Sequence, residues 1–64
     1  MKTYRLYVSM PSSKFGTDVI ADEVTMKNLR IDFYKKNSNQ YLPRILVASY
    51  PSQYTIIESI KENK

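Results

Sequence analysis

Between Val19 and Ile60 the chain falls into short apolar runs separated by polar turns, with no glycine in that stretch. The runs are VIADEVTM, LRIDFYKK, RILVASY and YTIIESI, rich in Val, Ile, Thr, Tyr and Phe. β-branched and aromatic side chains in runs this short argue for strands. The pattern narrows the architecture sharply and says little about chemistry.

The N-terminal segment fits the same scheme. Across Lys2 to Met10, Tyr4, Leu6, Val8 and Met10 share one face, and Thr3, Arg5, Tyr7 and Ser9 the other. Period two with one apolar face marks a half-buried strand. Pro11, Ser12 and Ser13 end it, and the loop is expected to run on to Asp18 with Gly16 closing it.

Val19 to Met26 admits two readings. As a strand it sets Ile20, Val24 and Met26 on one face, interrupted by Asp22. As a helix it is capped by Thr17 or Asp18. Its β-branched residues favour the strand. Leu29, Ile31 and Phe33 then alternate with Arg30, Asp32 and Tyr34. Asn37 to Pro43 reads as a loop longer than a tight hairpin turn. Arg44 to Tyr50 resumes as a strand. Its four consecutive apolar residues, Ile45 to Ala48, point to burial on both faces or to contact with another chain. Pro51 to Gln53 turns, Tyr54 to Ile60 is the last strand, and Lys61 to Lys64 is a frayed tail or a final helical turn.

The expected fold is therefore mainly β. It is a single domain over residues 1–64, a small antiparallel meander of four to five strands. A short helix at 18–28 or at the C-terminus is the alternative.

Size adds a constraint. A chain of 64 residues buries only about 60% of its unfolded surface, so its core is marginal. It has no cysteine and no histidine, which removes disulfides and the usual zinc ligands as staples. Self-association into a dimer or higher oligomer, or docking on another protein, is the expected source of added stability. No apolar run approaches a membrane span, and MKTYRLYVSM lacks the apolar core of a signal peptide. The chain is read as complete from Met1, cytoplasmic, and without a membrane partner.

The same composition argues against catalysis. Without His or Cys, the commonest general base and the thiol nucleophile are missing. Asp18, Asp22 and Glu23 lie close together, but they lack the alternating ligands and turn glycine of a calcium loop. One glycine cannot build a phosphate-cradling loop. No enzyme activity, cofactor or metal is expected.

The middle and end also carry a cadence: Val19-Ile-Ala-Asp-Glu-Val24, Leu29-x-Ile-x-Phe-Tyr34, Ile45-Leu-Val-Ala-Ser-Tyr-Pro51 and Tyr54-Thr-Ile-Ile-x-x-Ile60. It resembles small β-meander proteins of Gram-positive bacteria and their phages. The resemblance covers about forty residues and rests on core pattern. It implies a small β-meander in a mobile-element setting. There, chains of this size act by binding host proteins, as inhibitors of host defence or replication. It supplies no active-site residues.

Six tyrosines are the compositional excess, and the net charge is +4. Tyrosine joins a large apolar body to a polar tip, which suits binding surfaces. Arg5 neighbours Tyr7, and Arg30 and Lys36 flank Tyr34. The candidate partner-binding residues are accordingly Arg5, Tyr7, Arg30, Tyr34, Lys36 and Tyr41. The leading expectation is a non-enzymatic protein-interaction module bound to a host protein. Aromatic and basic side chains interleaved on a sheet also suit single-stranded nucleic acid, the second expectation. A structural subunit of a phage assembly is the third.

Overall fold

A computed structural model describes residues 1–63. Six strands are present: β1 (Lys2–Met10), β2 (Ser13–Ala21), β3 (Glu23–Lys27), β4 (Arg30–Lys35), β5 (Ile45–Pro51) and β6 (Thr55–Glu62). A 3-10 turn, Ser52–Tyr54, joins the last two. The strands form two antiparallel three-stranded sheets, in the orders β2-β1-β6 and β3-β4-β5. The expected mainly β, antiparallel architecture is what the chain adopts.

Several details differ from expectation. The strands number six rather than four to five, and the helix considered over 18–28 is absent. β2 and β3 fill that region as one ribbon bent at Asp22, which passes from the first sheet to the second. The loop expected from Pro11 to Asp18 shrinks to Pro11 and Ser12, because Met10 already pairs with Ser13. Gly16 sits in extended backbone opposite Tyr7, where an added Cβ would meet only ordinary contact. Proline and serine make the tight turn unaided, so the glycine is not needed for it.

The C-terminal helical alternative also fails. β6 continues through Glu62 beside Lys2, the Asn63 side-chain Nδ2 donates to Thr3 Oγ1 at 2.7 Å, and the Asn63 backbone amide donates to the Met1 carbonyl at 2.9 Å. The edge of β1 holds this segment extended. Lys64 lies outside the described residues.

The core lies between the sheets. Tyr4, Leu6, Val19 and Ala21 of the first sheet meet Ile31 and Phe33 of the second. The Tyr4 and Phe33 rings pack edge-on, centroids 5.1 Å apart. These are alternate residues of β1 and β4, so each strand gives its apolar face to the core. The intervening residues, Arg5 and Tyr7 on β1 and Arg30 and Tyr34 on β4, therefore face away from each other on opposite sides of the molecule.

Two hairpins are tight. Lys27 pairs with Arg30, leaving only Asn28 and Leu29 to turn the chain, with φ of 52° and 64°. Two successive positive φ values define the turn whose twist matches a hairpin. Leu29 is thus a turn residue, not the start of the strand, and is 75% exposed. The Ser52 amide donates to the Leu29 carbonyl at 2.9 Å and pins this tip to the 3-10 turn.

Candidate interaction surface at the start of β5

The six candidate residues do not form one face. Arg5 and Tyr7 lie on the outer side of the first sheet. Arg30 sits at the tip end of β4, opposite Pro51, and Tyr34 near its other end, opposite Leu46. Lys36 and Tyr41 belong to the loop that follows. Tyr34, Lys36 and Tyr41 thus share one neighbourhood, and Arg5, Tyr7 and Arg30 lie outside it.

That neighbourhood is built from the loop upward. Asp22 Oδ2 accepts the Lys36 amide at 2.7 Å and fixes where the loop leaves β4. Asn37 Oδ1 accepts the Asn39 amide at 3.1 Å, and Asn39 Oδ1 accepts the Tyr41 amide at 3.0 Å. These are successive Asx turns, in which a short side chain replaces a backbone acceptor two residues away. The Leu42 amide donates to the Asn39 carbonyl at 3.0 Å. The loop is therefore shaped by its own hydrogen bonds. It holds Tyr41 almost fully in solvent, 87% exposed.

Arg44 ties the loop back to the sheet. Its guanidinium lies 4.2 Å from the Tyr34 ring centre, and its Nη1 is 2.9 Å from Glu23 Oε2. Tyr34 stands between Glu23 and Leu46 in the ladder, so charge, ring and aliphatic side chain meet on one outer face. Lys36, Asn37, Gln40, Leu42 and Arg44 line a hollow of about 230 Å³ beside it. That is smaller than the ~300 Å³ at which small-molecule pockets begin.

The register of β5 carries the main surprise. Phe33 pairs with Ala48, but Tyr34 pairs with Leu46, leaving Val47 as an extra residue. Such a bulge sets two residues against one and changes which face the later side chains take. Leu46 moves to the outer face with its partner Tyr34. The run Ile45 to Ala48 is therefore not buried on both faces, as one reading of it required. Ile45, Leu46 and Val47 are all exposed, and only Ala48 reaches the core's edge. Every residue from Tyr41 to Val47 is exposed.

The sequence reading passed over Leu42, Arg44, Ile45, Leu46 and Val47. The four-residue apolar run was the available signal. A strand with one buried face shows alternation, so an unbroken run in an edge strand marks a register change.

The arginines are paired within the chain, whereas none of the described lysines forms an ion pair. Arg5 Nε lies 3.1 Å from Asp18 Oδ1, and this hydrogen bond and the attached charge raise the guanidinium pKa further. Arg30 Nη2 is 3.8 Å from Asp32 Oδ2. Asp32 is buried and accepts a hydrogen bond from the Ser49 hydroxyl. With Arg44 on Glu23, all three arginines face a carboxylate of their own chain. Asp22 is held below the ordinary carboxylate pKa, chiefly by the Lys36 amide and, against the cost of burial, by the N-terminal ammonium 3.6 Å away. Asp18, Asp22 and Glu23, the carboxylates weighed as calcium ligands, are thus each engaged structurally. Among the described residues no cluster of three His, Cys, Asp or Glu is placed to hold a metal. No described helix is long and apolar enough to cross a membrane.

No protein-family model matches this chain, and no curated protein or solved structure matches it at a significant level.

Proposed function

We propose that this chain is a non-enzymatic protein-interaction module whose binding surface is the Tyr41–Val47 segment together with Tyr34. One observation carries this reading: seven consecutive residues are exposed, five of them large and apolar, running from a loop that holds its own shape into the start of β5. Preformed loops present side chains without an ordering cost at binding. Tyr41 and Arg44 are of the residue types that dominate binding energy at interfaces. In the mobile-element setting suggested by the resemblance, the loop end of this surface, Tyr41 to Arg44, takes a host defence or replication protein as partner, and binding inhibits it.

The nucleic-acid reading is the weaker one: the three arginines are already paired with carboxylates, which leaves phosphate contacts to the lysines.

The test uses the immobilised chain and a bacterial lysate, with the Tyr41→Ala, Arg44→Ala variant beside the wild type. Both substitutions are at exposed positions, so the fold should survive, as circular dichroism would verify. A protein held by the wild type and lost by the variant supports the reading. Loss should correspond to at least about a hundredfold weaker binding, since hot-spot truncations cost about 2 kcal/mol or more each. Equal capture by both chains would sink it. Arg30→Ala, at the far end of β4, should leave binding within about twofold of wild type.

A further inference from the structure

We infer that the partner seated on the Tyr34–Leu46–Val47 patch is a second copy of this chain, related by a two-fold axis. The inference rests on the reading of this segment as an interaction surface and names an occupant for its β5 end.

Surface area is the first reason. The chain exposes 4814 Å². A compact monomer of 7.5 kDa exposes about 4,200 Å². The excess over the whole chain is on the order of 600 Å², below the ~800 Å² that each partner gives to a standard interface but enough for a weaker one.

Charge is the second. Two copies of a chain with net charge +4 repel unless they meet on a neutral face. Among the four edge strands, β2, β3 and β6 carry charged side chains, and β5 carries none. The one arginine on the patch is paired with Glu23 at 2.9 Å, and Lys36, which lines the hollow beside it, stands at the patch's margin. An isologous contact buries the same patch twice, so a neutral apolar surface is self-complementary by default.

The bulge at Val47 argues for face-to-face packing rather than strand addition. Bulges twist an edge away from further pairing. This one also sets Leu46 beside Tyr34 on the outer face. The opposite outer face offers no equal patch. There the Arg5–Asp18 pair separates Ile20 from Tyr7 and Ile56.

Sedimentation velocity on the intact chain, from about 10 µM to about 500 µM, tests the inference. The expected result is a shift from monomer to a species of twice the mass. Leu46→Arg should raise the dimer dissociation constant at least about tenfold, because it places like charges across the axis. Ile20→Arg, an equally exposed aliphatic on the other sheet, should change it less than about twofold. A wild type that stays monomeric throughout overturns the inference, as does a dimer that ignores Leu46→Arg or weakens equally with Ile20→Arg. Should Leu46→Arg fail to fold, a mixed sample of labelled and unlabelled wild type decides. Intermolecular NMR contacts from the Leu46 and Val47 methyls support the inference, and a dimer without them refutes it. A monomeric wild type that still captures a partner through Tyr41 and Arg44 would overturn the two-fold contact alone. Unaltered capture by the Tyr41→Ala, Arg44→Ala variant would instead overturn the underlying reading.

Discussion

Leu29 shows most plainly how single residues set local geometry here. It turns the β3–β4 hairpin at a φ of 64°, a region that L side chains enter at a cost of about 1–2 kcal/mol. Its side chain is in solvent, so it recovers little of that cost by packing. Leu29→Gly should therefore stabilise the chain by about 1 kcal/mol and raise the melting temperature by roughly 4–8 °C in a thermal scan. Asp22 acts at the same scale. Its carboxylate, held charged by the Lys36 amide and the N-terminus, has a folded pKa below its unfolded one. Its stabilising contribution is thus complete above the unfolded value and is lost as pH falls through the folded value. Urea midpoints near pH 7 and about pH 3 should differ less in Asp22→Asn than in wild type.

At the scale of elements, alternation and short β-rich apolar runs made four strands legible in advance. β1 was read with its observed bounds because Tyr4, Leu6 and Val8 alternate with polar residues against one core. β4, β5 and β6 were located for related reasons. β2 was hidden because its core residues, Val19 and Ala21, come only at its end, after an exposed and mostly polar half. The bend at Asp22 hid the split into β2 and β3, since Ile20 and Val24 have the same parity but do not share a buried face. The candidate site was legible only in part. Tyr34, Lys36 and Tyr41 were found through aromatic and basic composition. The β5 contribution was missed because a bulge depends on pairing with another strand, which local pattern does not encode. Phe33 joins the two sheets through its contact with Tyr4 and packs on Tyr50 of its own sheet. Phe33→Ala should cost about 3–5 kcal/mol. That is comparable with the whole stability of a domain this small, so denaturant titration should find the variant largely unfolded in water.

For the whole molecule, two thin sheets share one small core. That core uses one face of each sheet, and the opposite faces are left to charges, paired arginines and a few aliphatics. The first sheet fills its outer face with an ion pair. The second leaves Leu46 and Val47 exposed and Tyr34 half-buried under Arg44, beside a loop that displays Tyr41. The β5 surface is therefore open in the free chain and closes on association. Residue-resolved amide hydrogen exchange, at about 10 µM and at about 500 µM, tests this most directly. In dilute solution β1 and β4 amides should exchange slowly and those of Leu46 and Val47 much faster. At the higher concentration protection should rise at Leu46 and Val47 while Ile20 and Ile56 stay unchanged. Slow exchange at Leu46 and Val47 in dilute solution, or protection there that does not respond to concentration, would contradict the account.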